Sequence, residues 1–242
     1  MSNNYKSAVF MITAKTNMHV GSGSSSYGVI DNLVQRDVLT NMPIINSSSL
    51  KGSLRAFCEY KFNSSKDINM IFGSKYFDED SNEKTKVVKG KNQQNAGQFR
   101  FFDARLCAFP IREKDGDKAY TLSYNSTIEE EIKEAINLFK LELDLDKFIK
   151  DYRINEDLKL NLSDYELPII ARNQLDNGES KNLWYEQVIP RETRFYFVVL
   201  YPEQQGEAFK KFKNSIEKDL VQIGANASIG YGYCNIEELK NE

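Results

Sequence analysis

His19-Val20-Gly21-Ser22-Gly23-Ser24-Ser25-Ser26-Tyr27-Gly28-Val29-Ile30-Asp31-Asn32-Leu33-Val34-Gln35-Arg36-Asp37, followed after a few residues by Met42-Pro43-Ile44-Ile45-Asn46-Ser47-Ser48-Ser49-Leu50-Lys51-Gly52-Ser53-Leu54-Arg55, is the stretch around which the chain is organised. It has three parts. A small-residue loop, Gly21 to Ser26, follows a strand expected over 7–17, where β-branched and aromatic residues dominate. A polar segment then carries Asp31, Gln35, Arg36 and Asp37. Three serines open a helix whose apolar residues, Leu50, Leu54, Phe57 and Cys58, recur at a spacing of three and four. One of Ser47, Ser48 and Ser49 is the expected N-cap, its hydroxyl accepting an otherwise unpaired backbone N–H. A helix start with serine hydroxyls, Lys51 and Arg55 suits a phosphate. The ordinary alternative is a capped helix with two solvated cations.

The 242 residues are 40% hydrophobic and 28% charged, a soluble globular balance large enough for one domain with a real core. No apolar run approaches the roughly 20 residues of a membrane span, and the amino-terminal residues lack a signal-peptide pattern. A cytoplasmic protein without membrane contact is expected. Cys58, Cys107 and Cys234 are distant from one another, and two lie in apolar settings. They read as buried thiols. With a single histidine and no paired cysteines, there is no conventional zinc constellation. A net charge of −3 argues against a free-standing nucleic-acid binder.

Taken in order, helices are expected over 50–62, 127–141 and 204–220, and strands over 7–17, 98–112 with a bend at Asp103-Ala104, 167–171 and 193–201. A glycine-punctuated segment over 223–236 ends the chain. Residues 68–72 form a short apolar patch. Residues 28–40 have neither period and read as an ordered surface excursion. Asp176-Asn177-Gly178 is a turn signal, so 172–186 reads as a projecting hairpin. Two polar insertions, 75–97 and 142–164, interrupt a single domain, 1–242. The confident order is strand, helix, strand, strand, helix, strand. That is an α+β, ferredoxin-like (RRM-like) βαββαβ unit, although no Gly-Phe-Gly-Phe type stacking signature accompanies it.

The residues also resemble a known family. His19 to Ser24, Gly28-Val29-Ile30-Asp31, Val34 to Asp37, Pro43-Ile44-Ile45 and Ser48 to Arg55 are similar to the amino-terminal signature of the RAMP superfamily of CRISPR proteins. More narrowly, they resemble its backbone subunits (subunit four) of type III-B, or Cmr, effector complexes. Phe102-Asp103-Ala104-Arg105-Leu106 with Phe109-Pro110, Ile170 to Asn173 with Ser180 to Thr193, and Ile223 to Gly232 agree with that match. One departure is Ala225, where relatives usually repeat glycine.

The resemblance implies an antiviral, RNA-guided endoribonuclease. Copies would stack in a helical filament along a crRNA, beside a large Cas subunit and a small subunit. Each would push a β-hairpin thumb, here 168–190, through the guide–target duplex. Each would also help to cut the single-stranded target RNA, at regular intervals and with a divalent metal, Mg²⁺ or Mn²⁺. The family's catalytic aspartate falls on Asp31, which would also face the metal. Arg172 and Trp184 would belong to the thumb.

Ribonuclease chemistry can use the RNA 2′-hydroxyl, so the protein need only align it, take a proton and stabilise phosphate charge. His19 and Glu186 are further catalytic candidates, with Glu192 an alternative to Glu186. Arg36, Ser48, Lys51, Gly52, Arg55, Arg172, Trp184, Gly224, Asn226 and Gly230 are candidates for RNA contact. Each has an ordinary reading: Asp31 as a turn residue, Trp184 and Tyr185 as hairpin packing, the glycines as a tight turn. Met18 reads as core. Three rivals stay open. They are a non-catalytic crRNA-binding scaffold, a metal-independent crRNA-processing endonuclease centred on His19, and an acidic small-molecule enzyme.

Overall fold

Strand β1 (Tyr5–Ala14) is buried over its last seven residues, so the sheet is built outward from it on both edges and both faces. The computed structural model describes residues 4–23, 28–62, 64–74, 96–113, 119–146, 154–155 and 166–240. β1 pairs antiparallel with β9 (Arg194–Pro202) on one side and β11 (Tyr233–Leu239) on the other, Phe10 facing Phe197 and Glu238. β9 continues antiparallel to β4 (Ala104–Arg112), and β4 to β5 (Tyr120–Ser123). β10 (Val221–Gln222) extends the β11 edge, and β6 (Ile154–Asn155) runs parallel to β5. Two short pieces, β2 (Ile44–Ile45) and β3 (Arg100–Phe101), pair with β4 and β9.

Four described helices cover the sheet: α1 (Ser47–Lys61), α2 (Ser65–Phe72), α3 (Ser126–Phe139) and α4 (Gly206–Lys218). On one face, Phe10 stacks on Phe197 at 5.2 Å, and Phe212 of α4 meets Phe10, Phe72, Phe99 and Phe101 edge-on. Alternation along β1 and β9 sends Val9 and Tyr196 to the opposite face, where they meet Ile132, Ala135 and Ile136 of α3. Burying each large apolar side chain contributes about 1.5–3 kcal/mol. Among the described residues no helix is long and apolar enough to cross a membrane.

The expected α+β class holds. The expected strand over 98–112 is two strands, parted at Phe102-Asp103, one residue before the bend read at Asp103-Ala104. The patch at 68–72 is the end of a helix, α2, capped by Ser64, whose side chain accepts the Asp67 N–H. β5 has no counterpart in the sequence reading. Most of the two polar insertions, 75–95 and much of 142–164, lies outside the described residues; a Gly73–Ala96 bridge closes the base of the first.

The hairpin is β7 (Ile169–Asp176) with β8 (Glu179–Gln187), a two-stranded ribbon separate from the main sheet. Its two-residue turn is Asn177 at φ 51° and Gly178 at φ 86°, both left-handed, which is why an Asn-Gly pair stands there. Asp176 faces Glu179, but Gln174 faces Asn182, so Lys181 is an extra residue in a bulge. Were Lys181 instead paired with Gln174 in a continuous ladder, Arg172 would face Leu183 and share no face with Glu186. With the bulge Arg172 faces Trp184, and Arg172 and Glu186 lie on the same side.

Candidate functional site

Asp31 is exposed and stands against the base of the hairpin. Its backbone N–H and that of Asn32 donate to the Tyr185 carbonyl at 3.0 and 3.1 Å. The Tyr185 N–H donates back to Asp31 Oδ2 at 2.8 Å. Gln187 N–H donates to the Asn32 carbonyl at 2.9 Å, completing a parallel bridge between Asn32 and Glu186. The excursion that had no readable period is therefore an added strand-like edge on β8.

Glu186, only 4% exposed, is the next residue along that edge. Its Oε1 accepts from Arg172 Nε at 3.2 Å, Arg172 Nη2 at 3.1 Å and Asn226 Nδ2 at 2.9 Å; its Oε2 accepts from Asn226 Nδ2 at 3.1 Å. The Arg172 guanidinium lies over the Tyr231 ring, 4.6 Å from its centroid, a cation–π contact. Both oxygens of Glu186, read from the sequence as a further catalytic candidate, are thus engaged within the chain. A buried carboxylate with both oxygens occupied holds other groups and is not presented to a substrate. Arg172 and Asn226 are likewise turned inward to it. Glu192, the alternative, has left-handed φ and pairs with Lys15.

His19 is 5% exposed beneath the same cluster. Its Nδ1 lies 2.7 Å from the Gln187 carbonyl, which requires the proton on Nδ1. Its own carbonyl accepts the Ala225 N–H at 2.8 Å. The carboxyl-terminal loop presses so closely that a Cβ on Gly224, φ +89°, would stand 2.3 Å from that carbonyl oxygen. Gly232 is packed as tightly, whereas Gly230, φ +81°, faces open space. Gly21 lies against the other ring edge, 3.2 Å from His19 Nε2 to a built Cβ. A buried, doubly anchored His19 suits a structural post better than a proton carrier. Met18, fully buried and paired with Ile189, is core as read.

The start of α1 differs from expectation. Its N-cap is Asn46, which makes no side-chain capping bond, and no serine caps it. The Ser47 N–H donates instead to Asp103 Oδ1 at 2.6 Å, an acceptor 56 residues away. Gln35 fastens this helix start to the rest. Its amide donates to Gly21 O at 3.1 Å and Ser49 Oγ at 2.9 Å, and its Oε1 accepts the Asn46 N–H at 2.8 Å. Ser48 and Gly52 are exposed and Lys51 is half-buried, so they remain available.

Arg55 is corrected. Its guanidinium donates to Glu59 at 2.9 Å and to the Gly73 carbonyl at 2.9 Å, where it serves the end of α2. Arg36 donates to the Asn41 carbonyl at 2.7 Å, and burial lowers its pKa. Trp184 is half-buried, and Tyr185, Leu183, Leu175 and Ile169 leave an apolar exposed stripe along the hairpin.

Tyr231, Gln35 and Asp103 carry this arrangement and were not singled out for it. Only Tyr231, an aromatic between Gly230 and Gly232, offered a local signal. Among the described residues no three His, Cys, Asp or Glu side chains gather to hold a metal ion.

The model of the RAMP superfamily matches residues 11–235. A protein of Pyrococcus furiosus named CRISPR system Cmr endoribonuclease Cmr4 is 25% identical, the alignment covering 91% of this chain and 92% of that one. Among solved structures, a chain of a type III-B Cmr-beta complex in its apo state superposes with a TM-score of 0.74 at 21% identity, covering 98% of each chain. A chain of the same kind of complex bound to cognate target RNA gives 0.70 at 22% identity, covering 96% of each. At those identities the likeness is one of fold.

Proposed function

The chain belongs to the RAMP superfamily, and from that premise we propose that it is a crRNA-binding backbone subunit of a type III-B CRISPR effector complex, and that it cleaves complementary target RNA with Asp31. Repeated copies, a large Cas subunit and a small subunit would complete the assembly. The strand order β11-β1-β9-β4 supports a ferredoxin-like palm, and the β7–β8 hairpin would be its thumb.

The observation that carries the reading is the seat of Asp31. An exposed carboxylate is tied by one oxygen to the hairpin base. Target RNA displaced by the thumb would pass this point. Its 2′-hydroxyl would attack the adjacent phosphorus, forming the 2′–O–P bond as the P–O5′ bond breaks. Asp31 would accept the 2′-hydroxyl proton and orient the attacking oxygen. Ser48, Lys51 and Gly52 at the start of α1, and the open loop at Gly230, would contact guide phosphates.

The donor set fits Mg²⁺ or Mn²⁺ only as an ion shared between Asp31 and RNA phosphates, because Glu186 is already occupied. Bound there, such an ion would neutralise charge developing on the phosphate. A scaffold reading has one observation in its favour, that the Asp31 carboxylate already serves the Tyr185 N–H. The two part in a reconstituted complex. Asp31→Asn abolishes evenly spaced target cuts if Asp31 reacts, and leaves them unchanged if it only braces the hairpin.

A further inference from the structure

We infer that Glu186 is a positioning residue: its buried carboxylate fastens the hairpin to the carboxyl-terminal loop and thereby sets where the Asp31 carboxylate stands. The inference deepens the reading of Asp31 as the reacting group and rests on it. Three independent segments meet at one side chain. Arg172 comes from β7, Glu186 from β8 and Asn226 from the loop after β10. Asn226 holds a left-handed φ of 65°, a conformation that asparagine tolerates and that aims its amide at both carboxylate oxygens. Arg172 is held from its other side by the Tyr231 ring.

The link to Asp31 is one peptide long. Tyr185, immediately before Glu186, accepts the Asp31 and Asn32 N–H groups with its carbonyl and donates its own N–H to Asp31 Oδ2. The ribbon makes no ladder with the main sheet; single backbone bridges, Asn32–Glu186 and Met18–Ile189, hold its base, and the Glu186 side chain adds the tie to the carboxyl-terminal loop. Releasing Glu186 would let β8 turn about its base and carry the Asp31 carboxylate with it. A displacement of about 1 Å at a reacting group lowers rate roughly 100-fold.

The amide variant separates positioning from chemistry. In Glu186→Gln, a side-chain oxygen in the Oε1 position still accepts from Arg172 and from Asn226 Nδ2. The tie survives without a carboxylate. In the reconstituted complex at saturating target RNA, Glu186→Gln should cleave within about threefold of wild type with an unmoved pH profile, whereas Glu186→Ala and Asn226→Ala should fall about 10- to 100-fold. Target affinity should stay within about twofold in all three.

Hydrogen exchange of the full-length chain supplies a readout independent of cleavage. The Tyr185 amide should exchange faster in Asn226→Ala and Glu186→Ala but not in Glu186→Gln, with β1 amides unchanged. The inference is overturned if Glu186→Gln loses the 10²- to 10⁴-fold expected of a removed acid or base. It is equally overturned if Tyr185 exchange ignores Asn226→Ala. Wild-type cleavage by Asp31→Asn would instead overturn the functional reading, and the exchange result would still stand or fall by itself.

Discussion

Gly224→Ala tests how the carboxyl-terminal loop is seated, and Gly230→Ala is its internal control. Both glycines hold left-handed φ, +89° and +81°. A side chain in that region costs about 1–2 kcal/mol wherever it is. At Gly230 nothing lies within 4 Å of a built Cβ, so that is the whole penalty. At Gly224 the Cβ would stand 2.3 Å from the His19 carbonyl oxygen and 3.0 Å from its carbon. The carbonyl would have to retreat by at least about 0.7 Å to reach the shortest separation real Cβ atoms show, 3.0 Å. The same oxygen accepts the Ala225 N–H at 2.8 Å. Losing that bond adds about 1 kcal/mol.

The sum for Gly224→Ala is about 2–3 kcal/mol against about 1–2 kcal/mol for Gly230→Ala, a difference of about 1 kcal/mol. For a chain of this size each kcal/mol lowers Tm by about 2–4 °C. Thermal melts of the full-length chain should then fall roughly 2–4 °C further for Gly224→Ala than for Gly230→Ala. Equal shifts for the two variants would refute the close approach to His19.

Other consequences follow from the same structure. Burial pushes the Cys58, Cys107 and Cys234 thiols up to about 12, so thiol reagents at pH 8 should label none in the folded chain and all three in denaturant. Arg55→Ala removes the ties to Glu59 and the Gly73 carbonyl. It should destabilise by about 1–2 kcal/mol in a denaturant titration while leaving guide-RNA affinity unchanged. Burial of Asp37 would raise its pKa, but hydrogen bonds from Thr40 and Leu39 outweigh it and hold the carboxyl below its ordinary value. Its contribution is thus present above pH about 4 and is lost as pH falls through the lowered value, so Asp37→Asn should flatten the acid limb of a stability–pH curve below pH about 4.

What the sequence disclosed was mostly local. The 3.6-residue period located α1, α3 and α4, and Asp176-Asn177-Gly178 located the hairpin turn, because the determinants of those features lie within a few residues of one another. The misreadings were of groups satisfied at long range. A serine N-cap was the local optimum for α1, but Asp103, beside the β2–β4 pairing and 56 residues away in sequence, reached its first free N–H. The role of Glu186 depended on a single extra residue, Lys181, in a bulge that no local pattern marks. Shift the register by one and Arg172 and Glu186 part to opposite faces. Its second partner, Asn226, lies 40 residues on. The excursion at 28–37 had no period to read because it is shaped by the hairpin edge it lies on. The quoted blocks around Asp31, Glu186 and Asn226 do come together in space, although only Asp31 among the three catalytic candidates is exposed.

The most direct test is cleavage of a labelled RNA complementary to the guide by the reconstituted complex, with wild-type or Asp31→Asn subunit, in Mg²⁺ or EDTA. Evenly spaced products from wild type in Mg²⁺, absent with EDTA and absent with Asp31→Asn although target binding persists, are the predicted result. The same ladder from Asp31→Asn would contradict the assignment and leave this chain as a scaffold for chemistry done elsewhere.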